Sequence, residues 1–296
     1  MSQATSPSTG QRDGLARVCR VWGVARSRVY WHRHAPTESG TRRGPVGPCT
    51  ADELVDHMRR LLEASPCPGE GDRKVWARLR YQGIRTAPRR VLRLMRAHQL
   101  LAPTRHGHPH GPKAHDGTIS TERVDTMWGT DMTTTFTRPD GQVAIFIAVD
   151  HCAAECVGIH AAMHGTRFEA LEPIRPGVRT HFGVFGQDIA HGLLLRHDHG
   201  SQYRSQVFQE ELRFLGITSS PAFVRAPEGN GCAARFIRTL QEHLLWLKMF
   251  DTVAELRLAL HAFQQQYNAT WLIGRHGYKA PAQVRYEQRC TLAEAA

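Results

Sequence analysis

Apolar residues recur at helical spacing through the first third of the chain, give way to short β-rich runs in the middle, and return to helical spacing towards the C-terminus. Residues 1 to about 12 are polar and read as a disordered start. "LARVCRVWGVARSRVYWHR" alternates apolar and basic positions around Gly23 and predicts a short helix-turn-helix within residues 1–35. Val18, Val21 and Trp22 are expected to face inward, and Arg26, Arg28 and Arg33 outward. Residues 36–49, rich in Pro, Gly and Thr, read as a linker.

A second helical unit is predicted over residues 50–103. Thr50 and Glu53 form a capping-box pattern ahead of Leu54, Met58, Leu61 and Leu62 at helical spacing. Two more helices flank Gly83, and the second sets Val91, Leu92, Leu94 and Met95 against Arg89, Arg90, Arg93 and Arg96. Residues 104–124 carry His106, His108, His110 and His115. Interleaved Gly and Pro, without an acid or Cys at ligand spacing, make this a linker rather than a metal site.

From about Asp125 the period shortens. "TMWGTDMTTTF", "QVAIFIAVD" and "ECVGIHAAM" predict three consecutive antiparallel strands, the first two joined by the Asp-Gly turn in "RPDGQ". A helical stretch from about Arg167, the strand "HGLLLRHD", the helix "SQVFQEELRFLG" and the strand "ITSSPAF" complete a mixed α/β sheet over residues 125–250. "CAARFIRTLQEHLLWLKMF" predicts one long helix with Phe236, Ile237, Leu240, Leu244 and Leu247 as its apolar stripe. Residues 251–296 read as a C-terminal helical extension.

Composition narrows the function. Lys and Arg exceed Asp and Glu by 38 to 27, a net charge of +11, which points to a polyanionic partner. The 7 cysteines form no C-x-x-C pair, which argues against a disulfide framework or a zinc ribbon. No apolar run reaches the length of a membrane helix, and the N-terminus lacks the apolar segment of a secretory signal. A soluble, cytoplasmic protein is expected, with no membrane partner.

Asp131 falls within the first strand and Asp198 at the carboxyl end of a later one. Either alone reads as a turn former or a strand polar residue; together they form the pair that can share divalent cations. Two-ion phosphodiester chemistry needs such hard oxygen ligands, commonly with a third acid on a nearby helix. Asp150, beside His151, reads as a turn residue. His197, His199, Ser201, Gln202 and Tyr203 surround Asp198, and Ser205 reads as the cap of the next helix.

These blocks, with "GVARSRVYW", "RVLRLMRAHQLLAP", "WGTDMTTTF", "IFIAVD", "RHDHGSQYRSQVFQEELRFLGITSS", "GNGCAARFIRTLQEHLLW" and "QYNATWLIGRHGYKAPAQVRYE", resemble the retroviral-integrase-like DDE transposases of bacterial insertion sequences across nearly the whole chain. The resemblance implies an RNase H-like integrase catalytic core, a mixed five-stranded sheet with flanking helices, preceded by small all-α helix-turn-helix segments. It implies Asp131 and Asp198 as metal ligands, with two Mg²⁺ or Mn²⁺ ions in an active form. Expected partners are double-stranded DNA (element terminal inverted repeats and target), another copy of the chain in at least a dimer, and a small upstream-frame protein. Nucleoid association in a bacterial cytoplasm follows from that role.

The resemblance implies a third acid, a Glu, with thirty-five residues intervening after Asp198, and that position is Ala234. Glu242 lies about 12 Å further along the helix, and Glu228 reaches the site only if its loop folds back. Loss of a Glu within intact flanks therefore predicts disabled catalysis, through drift of the lineage or through a deliberate substitution; the intact flanks favour the latter. Arg26, Arg28, Arg89, Arg90, Arg93, Arg96, Arg235, Arg238 and Lys248 are candidate DNA-backbone contacts. A non-catalytic DNA-binding protein, such as a transposition repressor, is the main alternative; a nuclease of the same fold acting without element ends is a weaker one.

Overall fold

The computed structural model describes residues 5–33, 49–67, 69–103, 119–222 and 227–294. The predicted linkers, including the four histidines between 106 and 115, lie largely or wholly outside the described residues. Residues 1–47 and 48–296 form two compact units.

In the first unit, α1 (Leu15–Val21) and α2 (Arg26–Arg33) flank a turn at Gly23, where φ is 63°. Cys19 is its one buried residue among those described. Val21 and Trp22 are 76% and 62% exposed, which corrects the expectation that they pack inward. Helices of 7 and 8 residues offer too little surface to enclose a core by themselves.

The second unit begins with α3 (Ala51–Ala64), α4 (Asp72–Tyr81) and α5 (Pro88–Ala97). The capping box is made as predicted: Glu53 N–H donates to Thr50 Oγ1, and Thr50 N–H donates to Glu53 Oε2. Leu54, Met58, Val75, Leu79, Val91 and Met95 meet in a core that is essentially shielded from solvent. One edge of α4 is tied to the C-terminal part of the chain. Tyr81 donates to Tyr278 O at 2.9 Å, and Lys74 Nζ stands 3.0 Å from the centroid of the Trp271 ring. Arg78 forks onto the Glu70 carboxylate at 2.6 and 2.7 Å.

The core sheet contains β1 (Met127–Thr137), β2 (Gly141–Asp150), β3 (Cys156–Ala162), β4 (Leu194–His197) and β5 (Thr218–Pro221), in the order β3-β2-β1-β4-β5. The first three strands form an antiparallel meander; β4 and β5 run parallel to β1. This is the mixed five-stranded sheet with flanking helices expected from the sequence. Helix α6 (Ile174–Phe182) returns the chain after β3. Helices α7 (Ser201–Arg204) and α8 (Gln206–Phe214) cross between β4 and β5. Ser205 caps α8 by accepting from Phe208 N–H.

Strand alternation divides the core. Trp128, Phe146 and Ala148 pack on one face with Val178, Phe208 and Leu212. On the other, Val143, Ile145, Ile147 and Val149 pack under α9 (Gly231–Leu240) and α10 (Val253–Thr270) through Phe236, Leu240, Leu256 and Phe263. The chain closes with α11 (Pro281–Glu294). Helix α6 sits tightly on β3: a Cβ at Gly158 would lie 1.7 Å from Pro173 O, so only glycine fits there. The long helix expected after Gly231 changes at Gln241–Leu245 to π-type winding. Leu247 therefore leaves the predicted apolar stripe and is 63% exposed, because altered winding and the end of the helix rotate it away from the sheet.

Candidate active site and nucleic-acid surfaces

Parallel pairing sets Gly129 of β1 beside Arg196 of β4. Asp131 and Asp198 each lie two residues further on, so pleat periodicity brings both to one end and one face of the sheet. Asp131 is half-buried and Asp198 is exposed. Each is held at one oxygen: Asp131 Oδ1 accepts from Met132 N–H, and Asp198 Oδ1 from Gly200 N–H, both at 2.8 Å. Burial pushes the Asp131 carboxyl up to about 6, and the charge of Asp198 adds to that, against the Met132 hydrogen bond. A buried carboxylate set beside a second one is poised to take a cation.

Asp131 pairs with Ile147 across β1 and β2, so it lies on the face covered by α9. Two bonds orient that helix. Asn230 Nδ2 donates to Thr130 O at 2.9 Å, and Gln241 Nε2 donates to Thr133 Oγ1 at 3.0 Å. At about 100° per residue, Ala234 is only about 40° round the helix from Asn230 and about 20° from Gln241. Its rise of about 6 Å from Asn230 brings it level with the Asp131 region of β1. Ala234 is exposed, whereas Ala233 is fully buried in the core.

Neither nearby acid is shown in that position. Glu242 accepts from Arg238 Nε at 2.9 Å, and the Glu228 side chain lies outside the described residues. Among the described residues, no group of three or more His, Cys, Asp or Glu is placed to hold a metal ion. The donor set is the pair Asp131 and Asp198: hard oxygens, mutually repelling, each with one oxygen not engaged by the backbone N–H. That chemistry fits a divalent cation but lacks the third carboxylate of a complete two-ion site.

Several features around the pair were not legible from its residues alone. Gly129, His151, Asn230 and Arg196 form a polar layer behind it. A Cβ at Gly129 would meet His151 Nε2 at 2.6 Å and Asn230 Oδ1 at 2.7 Å. His151 is held by Ile119 O at 2.9 Å, and burial pulls its imidazole down to about 4. His197 bridges Asp198 O and Ser219 Oγ at 2.6 and 2.8 Å, and burial lowers its proton affinity also. Asp150 is fully buried and accepts from Ala153 and Asp125 N–H, which makes it a turn residue as expected. It also belongs to an acidic cluster around Arg285 that periodicity did not suggest.

The candidate DNA contacts fall into distinct environments. Arg26 and Arg28 are exposed on α2. Arg89, Arg93 and Arg96 are exposed along α5, while Arg90 turns back to donate to Cys49 O at 2.9 Å. Arg235 is exposed immediately after Ala234. Arg238 pairs with Glu242, and Lys248 lies beyond the helix, 2.9 Å from Glu255. No helix among the described residues is long and apolar enough to cross a membrane.

Residues 50–108 match the HTH-like domain family. Over 304 residues the chain is 26% identical to the transposase InsD for insertion element IS2-9 of Escherichia coli strain K12, spanning 95% of this chain and 96% of that protein. It is also 26% identical over 230 residues to the transposase InsD for insertion element IS2A/D/F/H/I/K of Escherichia coli, 75% of each chain. A chain of the simian T-cell lymphotropic virus intasome in complex with PP2A regulatory subunit B56 gamma aligns at TM-score 0.44 and 16% identity, over 80% of this chain and 74% of that one. The HTLV-2 integrase catalytic core domain in complex with magnesium aligns at TM-score 0.41 and 16% identity, over 57% and 99%.

Proposed function

We propose that this chain is an insertion-sequence transposase that binds DNA at element ends and that Ala234 has disabled its strand-cleaving and strand-joining chemistry. What supports this reading is the β1–β4 register that sets Asp131 beside Asp198, with Ala234 on the side of α9 that Asn230 and Gln241 hold towards β1. Asp131 and Asp198 would hold the divalent ions, which when bound would supply charge stabilisation for in-line attack by water or a 3′-hydroxyl on a phosphodiester. The chain's own residues set the geometry of that site. Asn230 and Gln241 hold α9 along β1, Met132 and Gly200 N–H orient the two carboxylates, and the polar layer behind them supports the strand ends.

Helix α5, with Arg89, Arg93 and Arg96, is the reading's principal duplex-binding element; α2, with Arg26 and Arg28, is a second. Arg235 extends the basic surface beside the acid pair. Assembly of at least two copies on two DNA ends, association with a small upstream-frame protein and a place on the bacterial nucleoid belong to the same proposal. So does the division into helical DNA-binding segments (1–35 and 50–103), a core (125–250) and a C-terminal extension (251–296). Ala234 also favours a second reading, a DNA-binding protein such as a transposition repressor that has no catalytic role.

The test is strand transfer on DNA carrying the ends of its own element, with Mn²⁺ and Mg²⁺, for the chain as given and for Ala234→Glu. Position 234 is exposed and helical, so the substitution costs at most about 0.7 kcal/mol in helix propensity and leaves the fold intact. Joining by Ala234→Glu alone supports the first reading. Equal activity in both chains overturns the role given to position 234, and end binding without joining in either leaves the repressor reading.

A further inference from the structure

The chain leaves the π-wound segment Gln241–Leu245 through a run of large apolar residues turned to solvent. Trp246, Leu247 and Met249 are 68%, 63% and 66% exposed. A parallel bridge then sets Phe250 beside Thr137 at the end of β1, and Arg138 N–H donates to Phe250 O at 3.2 Å. Thr137 and Phe250 are buried. Alternation therefore turns their neighbours Phe136 and Met249 outwards together, and Phe136 is 66% exposed. Two-thirds of four such side chains amounts to about 400–500 Å² of apolar surface, a size at which an exposed patch marks an interaction site.

The border of the patch decides what can cover it. Arg138 Nε lies 3.3 Å from Asp251 Oδ1, and Lys248 Nζ lies 2.9 Å from Glu255 Oε1. Both cations are matched by carboxylates, so they offer a polyanion no net charge, unlike the exposed arginines of α5. An apolar centre with both signs at its border is self-complementary. Across a two-fold axis the cations of one copy can meet the acids of the other while the apolar centres bury each other. With its border the patch approaches the roughly 800 Å² per partner of a stable protein interface.

We infer that Phe136, Trp246, Leu247 and Met249 form an isologous contact with a second copy of this chain. The inference deepens the proposed assembly of two copies and rests on that part of the transposase reading. Phe136 stands on the strand that carries Asp131, about 17 Å further along it, so one rigid element holds both the contact and a member of the acid pair.

The test measures the mass of the full chain without DNA by sedimentation equilibrium, from about 1 to 100 μM, where a contact of this size associates. The wild type is expected to pass from monomer to dimer across that range. Leu247→Glu and Met249→Glu place a charge inside the patch, and each is expected to weaken dimerisation at least about tenfold. Tyr286→Glu, 69% exposed on α11, is the control and should dimerise as the wild type does. Affinity for a duplex carrying one element end should be the same in all four proteins. A wild type that stays monomeric, patch variants that dimerise as the wild type does, or an equal loss in Tyr286→Glu each overturns the inference. If Leu247→Glu or Met249→Glu does not fold, Trp246→Ser is read in the same way. A chain that dimerises through the patch but binds no element end keeps the surface and loses the transposase reading. End binding by a dimer that the patch variants leave intact keeps that reading and loses the surface.

Discussion

Asn230 donates through Nδ2 to the carbonyl oxygen of Thr130 at 2.9 Å, fixing the start of α9 against the strand that carries Asp131. Gly129 makes the approach possible, because a Cβ there would stand 2.7 Å from Asn230 Oδ1 and 2.6 Å from His151 Nε2. Asn230→Ala removes a buried donor and is expected to cost about 1–3 kcal/mol. Gly129→Ala forces the polar layer apart, also at about 1–3 kcal/mol. Urea unfolding of both variants checks this; two losses below about 0.5 kcal/mol would remove Asn230 and Gly129 from the positioning of α9.

His151 predicts a pH dependence of stability. Its Nδ1–H donates to Ile119 O, and burial holds the ring neutral, with the folded value near 4 against an ordinary 6.5. The unfolded chain binds the proton more readily, so this contribution is complete above about 6.5 and is lost as pH falls towards 4. A shift of that size corresponds to about 3 kcal/mol. Asp131 and Asp150, raised by burial, act in the opposite sense over the same range. The measurement is therefore a difference: His151→Gln should gain on the wild type by up to about 3 kcal/mol between pH 6.5 and 4. A constant difference would show that His151 is not held neutral.

The sheet and most helices were legible because their signals are local and periodic. Thr50 with Glu53, the Asp140–Gly141 turn and the alternation of β2 each state their element within a few residues. The acid pair was legible because Asp131 lies within β1 and Asp198 just past the end of β4, with a recognisable interval from Asp198 to Ala234. The residues that aim those groups were not. Asn230 reaches Thr130 across 100 positions, and Arg285 reaches Glu155 across 130. No local period encodes such pairings. Val21 and Trp22 misled in the opposite sense: an apolar stripe states what a helix can bury, not whether a partner surface is present.

Arg285 is the counter-charge for three carboxylates. It pairs with Asp125 and Glu155, and its Nη2 stands 4.0 Å from Asp150, which has no solvent exposure. Arg285→Met leaves those acids without a cation in a low-dielectric setting, and a loss of about 3–5 kcal/mol is expected. Arg289 stands 4.0 Å from Asp125 but is half exposed, so Arg289→Met should cost no more than about 1 kcal/mol. Thermal unfolding at neutral pH separates them. Equal effects would mean that Arg285 is not the ion holding α11 to the core.

The arginines of α5 divide by geometry into two classes, and the division predicts two kinds of defect. Arg89, Arg93 and Arg96 project into solvent along one helix, whereas Arg90 is tied to Cys49 O ahead of α3. An exposed arginine that neutralises a phosphate releases a counterion, so each Arg→Gln change at 89, 93 or 96 should weaken duplex binding. Each should also reduce the slope of log affinity against log salt by about 0.9. Stability should stay within about 0.5 kcal/mol, since these side chains cover no core. Arg90→Gln should reverse the pattern. It loses a bond from a charged donor to a backbone carbonyl, at about 1–3 kcal/mol, and leaves the salt slope unchanged. Duplex binding across a salt series, paired with urea unfolding, tests both halves. A slope change for Arg90→Gln equal to that for Arg93→Gln would place Arg90 on the DNA despite its bond to Cys49. An unchanged slope for Arg89, Arg93 and Arg96 together would move duplex recognition off α5.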